Sequence, residues 1–207
     1  MMKQTFKDQS EFDIYLAEQK VRQENGYLTK SERESLKKMQ EKNYKPIFIK
    51  EVSQKLPIIT DINQLRKPCL EVTKEDNIIE IIQKLKDTLE SHGGLGISGN
   101  QIGIQKKISY IKIPKMNKDK LEYNEMIIIN AKIIEKSNPI KVKDEGCISF
   151  PGIYVDTLRY IYCTVYYLDE NLKENTGLMQ DLESFVILHE YDHTIGKTIF
   201  DRKWRTK

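Results

Sequence analysis

The chain has 207 residues, of which 39% are hydrophobic and 31% charged, with a net charge of +3, so one globular core lies within its means and two large domains do not. No stretch approaches the roughly 20 consecutive apolar residues of a membrane helix, and the polar start from Met1 to Ser10 lacks the apolar run and small-residue cleavage site of an export signal. Residues 1–55 hold 12 Lys and Arg against 9 Asp and Glu, whereas residues 56–207 hold 22 of each; the basic excess is interleaved with acids and forms no polybasic run, which argues against a dedicated nucleic-acid binder.

Before Leu56 and Pro57 the chain reads as two charged helical pieces, one around Phe12 to Gln23 and one around Ser31 to Lys42. Thr29 and Glu32 are spaced as a capping box for the second, which has few apolar anchors beyond Leu36 and Met39. Such a helix lies on a surface or docks on a partner, so residues 1–55 are read as a helical extension and residues 56–207 as the main domain. Asp8, Glu11, Asp13 and Glu18 break the acid-poor pattern of an organellar transit peptide. From Asp76 to Glu90, Ile78, Ile79, Ile82, Leu85 and Leu89 recur at helical spacing, with Thr73 and Asp76 as capping candidates. Gly93, Gly94 and Gly96 end this helix. Ile108 to Ile113, Met126 to Ile134 and Tyr160 to Leu168 are rich in β-branched and aromatic residues and read as strands, with Asp169, Glu170 and Asn171 as the turn after the last. Asp181 is placed to cap a final helix from Leu182 to Ile195 that Gly196 ends. Helix, strands and helix in this order predict an α+β domain.

Two of the three histidines fall in His189-Glu190-Tyr191-Asp192-His193, an H-E-x-x-H on the final helix. Residues four apart share one face, so both imidazoles reach one metal ion while Glu190 leans over its open position. The competing reading is two helical histidines beside a solvated carboxylate. Leu182, Phe185, Val186, Ile187, Leu188 and Ile195 make the helix apolar nearly all round, however, and buried polar groups need partners that a metal supplies. Neither His nor Glu occurs among the 14 residues after His193, so the third ligand must come from upstream. Cys147 is the attractive choice, because Gly146 gives the backbone freedom and a thiolate is a strong transition-metal ligand. Cys69 and Cys163 are read as small buried hydrophobes, and three widely spaced cysteines suit a reducing compartment.

With these residues in place the sequence resembles the peptide deformylase family. Gly94-Leu95-Gly96-Ile97-Ser98-Gly99-Asn100-Gln101-Ile102-Gly103 resembles its first motif, G-x-G-[LI]-A-A-x-Q-x-G. Glu145-Gly146-Cys147-Ile148-Ser149 resembles the second, E-G-C-[LI]-S, and Phe150-Pro151-Gly152 with Arg159 continues the match. The H-E-x-x-H segment with Gly196 is similar to the third, H-E-x-D-H-x-x-G. Ser98, Gly99 and Asn100 depart from the usual small and proline residues and predict a looser first loop and a reshaped groove; Leu188 and Thr194 stand where Gln and Leu are usual.

The resemblance implies antiparallel strands packed around a central metal-binding helix, and removal of the N-formyl group from the formylmethionine of nascent polypeptides. It implies Cys147, His189 and His193 as ligands of one divalent ion, ferrous iron first, with zinc, nickel or cobalt as substitutes. Metal-activated water is then the nucleophile, Glu190 the general base and acid, and the Gln101 amide with the Ile148 N–H the oxyanion donors. The formyl-Met peptide is expected along Leu95, Gly96 and Gly146, with the methionine side chain in an apolar pocket. Leu182 and Val186, on the ligand-bearing stripe of the helix, are candidates to line that pocket, with core packing as their other reading. Asp192 and Arg159 are read either as groups that orient ligands or as simple surface pairs. The expected location is a bacterial-type cytosol, with an organelle left open; the ribosome near its exit tunnel is a candidate partner, and no membrane or sequence-specific nucleic acid is. The alternatives are another H-E-x-x-H hydrolase or peptidase, and a silent deformylase-like module that binds ribosomes or peptides.

Overall fold

The computed structural model describes residues 54–205 apart from Asp119, together with the isolated position Glu34. The chain divides into two units, Met1–Val52 and Ser53–Lys207, and the elements below belong to the second. Glu34 aside, the two helical pieces expected before Leu56 lie outside the described residues.

A short helix α1 (Ile62–Leu65) leads to α2 (Ile78–His92), which buries Leu85, Thr88 and Leu89. Its N-cap is Asn77, whose side chain accepts from the Glu80 N–H, and not Thr73 or Asp76. Asp76 is committed elsewhere: it accepts from the Thr73 N–H at 2.8 Å and pairs with Lys106 at 2.7 Å. The buried face of α2 packs on Ile97, Ile102, Ile108, Tyr110, Ile127 and Ile129, which removes this apolar stripe from water.

Strand β1 (Gly96–Ser98) and a 3₁₀ turn (Gly99–Ile102) carry the first motif. β2 (Ile108–Asn117) and β3 (Lys120–Lys136) form a long antiparallel hairpin. It extends beyond the apolar runs that mark it in the sequence, because the distal half is exposed and held by ladder pairing and polar side-chain contacts such as Asn117 Nδ2 to Glu122 and not by apolar burial. β4 (Pro139–Gly146) pairs with β5 (Tyr154–Tyr160) as a separate two-stranded sheet, while β6 (Tyr162–Leu168) and β7 (Glu174–Gln180) complete a five-stranded antiparallel sheet of order β1-β2-β3-β6-β7. The single strand expected from Tyr160 to Leu168 is therefore broken at Ile161, its first residue belonging to one sheet and the remainder to the other. β4, β5 and β7 are not marked by apolar runs. In β5 the inward positions are Val155, Thr157 and Arg159, so two of three buried side chains are polar and the alternation is hidden from a hydropathy reading.

Helix α3 (Asp181–Thr194) begins one residue before the expected start. Gln180 is the N-cap and makes no side-chain cap bond; Asp181 opens the helix although its own φ of +48° is left-handed. The helix contacts β1, β2, β6 and β7 of the large sheet and β5 of the small one. It is accordingly buried on most sides, including Ser184, Ile187, Leu188, Glu190, Asp192 and His193, as its apolar flanks require. A closing 3₁₀ turn (Ile199–Arg202) covers Cys147 and Phe150 through Ile199. The architecture is α+β, with antiparallel strands around a central helix.

Candidate active site

Cys147 directly follows β4, and its Sγ lies 3.3 Å from His193 Nε2. The ligand atoms of Cys147, His189 and His193 all fall within 4.8 Å of one another. A tetrahedral ion bonded at about 2.0–2.3 Å spaces its ligand atoms about 3.3–3.7 Å apart, so this cluster of one thiol and two imidazoles fits a single transition-metal ion. His189 Nδ1 is 2.7 Å from Glu145 Oε1, which leaves Nε2 for the cluster and sets the tautomer by the carboxylate behind it.

Glu145 is also gripped by Arg159, which donates through Nε to Oε2 at 2.8 Å and through Nη2 to Oε1 at 2.6 Å, and by the Thr157 hydroxyl at 2.6 Å. Arg159 Nη1 donates to Asp192 Oδ2 at 2.6 Å, and Arg202 Nε donates to the same oxygen at 2.9 Å. Burial by itself raises the pKa of Glu145, but the bonds from Arg159 and His189 outweigh it and hold the carboxyl well below the usual range. Burial opposes the charge on Arg159 in the same way, and Glu145 and Asp192 overcome it. Arg159 and Asp192 are each only 2% exposed. The surface-pair reading of these two is therefore wrong: five charged or ionisable side chains from β4, β5, α3 and the last turn form one network, buried at its centre and with only Arg202 substantially exposed, that ends on a histidine of the cluster. No local sequence window shows this, since Arg159 and Asp192 are 33 residues apart.

Glu190 is buried, and burial lifts its pKa above the ordinary carboxylate value, with His189 and a Ser98 hydrogen bond pulling the other way. A side chain at Gly96 would bring a Cβ within 2.6 Å of Glu190 Oε1, so the glycine makes room for this carboxylate. Gln101 is buried as well. The Ser98 N–H donates to its Oε1 at 2.9 Å, which turns Nε2 toward Ser149 Oγ at 3.1 Å and Cys147 Sγ at 3.5 Å. The Ile148 N–H has no acceptor among the described residues, and Ile148 lines the same cleft.

The residues at the departures from the family motif are closely held, contrary to the looser loop expected from sequence. Ser98 and Asn100 are buried, and Asn100 Nδ2 donates to the carbonyls of His193 at 2.8 Å and Leu65 at 3.2 Å. At Gly99 an added Cβ would stand 2.6 Å from the Ile104 carbonyl oxygen and 2.9 Å from that of Lys106, so the next loop occupies the space an alanine needs. Gly146 is in regular strand pairing with Tyr154. What it supplies is room for the Tyr154 ring, 3.1 Å from where its Cβ would be, and not the conformational freedom expected of it.

A cleft of about 670 Å³ opens onto the cluster. Leu95, Gly96, Gly146, Leu182 and Val186, the candidate substrate contacts, all line it, as do Gln101, Ile148, Cys147, His189 and Glu190. Phe185 and Tyr154 line it too and were not anticipated. Phe185 was within reach of the sequence, because it lies four residues before His189 and so on the ligand-bearing stripe.

Fold and site together define an α+β metalloenzyme in which a buried H-E-x-x-H helix meets a cysteine from a strand end. A family model described as "Polypeptide deformylase" matches residues 56–207. Among curated proteins, the peptide deformylase of Karelsulcia muelleri (strain GWSS) is 35% identical over 148 residues, 70% of this chain and 77% of that one. Among solved structures, a peptide deformylase from Ehrlichia chaffeensis is 30% identical with a TM-score of 0.64, covering 72% of this chain and 88% of that one. One from Synechococcus elongatus, solved in complex with actinonin, is 29% identical with a TM-score of 0.62, over 72% and 78%. The chain belongs to the peptide deformylase family. Its activity is the metal-dependent hydrolysis of the N-formyl group from the formylmethionine of nascent polypeptides, which sets aside a different H-E-x-x-H hydrolase and a silent binding module.

Proposed function

We propose that Cys147, His189 and His193 hold one ferrous ion and that Glu190, Gln101 and Ile148 perform the proton and oxyanion chemistry of deformylation. The observation that carries this reading is the convergence of three ligand atoms within 4.8 Å beside a buried carboxylate at the floor of an open cleft. One thiolate and two imidazoles suit ferrous iron, zinc, nickel or cobalt alike, and the family resemblance favours iron. When bound, the ion supplies Lewis acidity, lowering the pKa of water enough to provide hydroxide near neutrality.

The chain's own residues do the rest. The formyl-Met backbone runs along Leu95, Gly96 and Gly146, and the methionine side chain enters the apolar end of the cleft between Leu182, Phe185 and Val186. Glu190 Oε1, the oxygen over Gly96, takes the proton of the attacking water, and the raised pKa of this carboxyl suits it to pass that proton to the departing amine. As the formyl carbon becomes tetrahedral, Gln101 Nε2 and the Ile148 N–H donate to its oxygen. Arg159, through Glu145, holds the His189 ring in place throughout. Among the described residues no helix is long and apolar enough to cross a membrane, and we place the chain in the cytosol, meeting its substrate near the ribosomal exit tunnel.

Metal analysis paired with turnover of a formyl-Met peptide under anaerobic conditions tests this reading. Cys147→Ala is expected to lose the metal. Glu190→Gln is expected to keep it and to lose about 10²–10⁴-fold in turnover, the usual share of a general acid–base group. Loss of metal in parallel with activity in Glu190→Gln would show that the carboxylate is a ligand or a structural group instead.

A further inference from the structure

We propose that Ser98, where the family motif has alanine, is a positioning residue that locks the Glu190 carboxylate for proton transfer, with Ser109 behind it as second member of a hydroxyl relay. The proposal rests on the reading of Glu190 as the proton carrier. Ser98 Oγ is fully buried and lies 2.7 Å from Glu190 Oε2, 3.0 Å from the Glu190 carbonyl oxygen and 2.8 Å from Ser109 Oγ.

A hydroxyl has one proton, and while Glu190 is ionised both of its oxygens within reach are acceptors only. The shorter contact is to the carboxylate, whose charge makes it the stronger acceptor, so the Ser98 proton goes to Oε2. Ser98 Oγ is then free to accept, and Ser109 donates to it. Ser109 is also buried and stands directly opposite Ser98 in the β1–β2 register, so the relay is built into the pairing of two strands and does not depend on a mobile side chain. On its other side the carboxylate rests against Gly96, where a Cβ would be 2.6 Å from Oε1. With Oε2 tied by Ser98 and Oε1 fitted over a glycine, one rotamer is selected and Oε1 is the oxygen left for the substrate side. An alanine at 98 would supply only the second of these constraints.

The test is Ser98→Ala, which restores the family's residue at a site large enough for it and so preserves the fold. Single-turnover hydrolysis of a formyl-Met tripeptide at saturation is expected to slow about tenfold, the order set by one hydrogen bond to a charged group, while half-saturating peptide concentration and metal content stay at the parent values and the thermal midpoint falls only modestly, as the loss of one buried hydrogen bond requires. Ser109→Ala should slow the reaction less, and should have no effect when added to Ser98→Ala. In a Glu190→Gln background, Ser98→Ala should change nothing. An unchanged rate in Ser98→Ala overturns the proposal, as does a tenfold loss that persists in the Glu190→Gln background, since that would be a structural effect. Glu190→Gln with parental turnover overturns the underlying reading of Glu190 itself, a result distinct from either.

Discussion

Three cysteines share one chain, and only their surroundings separate them. Cys69 is buried and its thiol is pushed up to about 11, chiefly by burial, so almost no thiolate exists at neutral pH. Cys163 is fully buried on β6, within the large sheet, and burial raises its pKa as well. Cys147 is the one that lines the cleft, where oxygen or peroxide reaches it. Protein reconstituted with ferrous iron is therefore expected to lose activity in air faster than protein loaded with zinc, which has no redox chemistry of its own. Mass spectrometry is expected to find added oxygen on Cys147 ahead of Cys69 and Cys163. Equal lifetimes for the two forms, with Cys147 unmodified, would sink both the iron assignment and the accessible-thiolate picture. At this scale the two histidines of the cluster were legible in the sequence, because the i, i+4 spacing of His189 and His193 is a local property of a helix. Ser98 was legible only as a departure from a motif; its partner lies 92 residues away.

Arg159 joins β5 to α3 and to the end of β4, and its removal tests what that joint is worth. In Arg159→Met, Glu145 loses both guanidinium bonds and Asp192 keeps only Arg202. Stranding a buried charge in this way costs about 3–5 kcal/mol, so the urea midpoint should fall markedly and metal affinity with it, as the carboxylate behind His189 is no longer held. The turn after β1 offers a second test. Gly99→Ala would force a methyl against the Ile104 and Lys106 carbonyls, and overpacking of this kind costs about 1–3 kcal/mol, measurable as a lower thermal midpoint. Here the neighbouring loop lies where the alanine's methyl would go. The helices and the apolar strands were readable from periodicity. β4, β5 and β7 were not, because their buried positions include Thr and Arg or their strands are half exposed.

For the whole molecule the open question is where the catalytic domain begins. Leu56 and Ile58 pack against the α2 core, the Leu56 N–H donates to Thr88 Oγ1 at 3.0 Å, and the Ile59 N–H donates to the Gln101 carbonyl at 2.8 Å. A chain starting at Leu56 retains all of these, and removal of residues 1–55 is expected to leave a folded, metal-binding and active domain. Removal of residues 1–59 should instead lower the thermal midpoint and the turnover rate, because the bond that steadies the Gln101 turn goes with it. Precipitation or loss of metal in the shorter deletion would show that the boundary lies further upstream.

The sequence by itself determined the helix that bears both histidines, the cysteine in its glycine-flanked motif, the α+β class and the chemistry that these residue types allow. Each rests on local order, since periodicity and short-range spacing are properties of a single element. Only the tertiary structure decided which residues meet. It brought Cys147 to His193 across 46 positions, turned Arg159 from a surface candidate into the centre of a buried network, and placed Ser98 on Glu190. The physical reason is burial. Once the central helix is enclosed by two sheets, every charge and hydroxyl on it must find a partner, and which partner it finds depends on how strands far apart in the chain pair and pack.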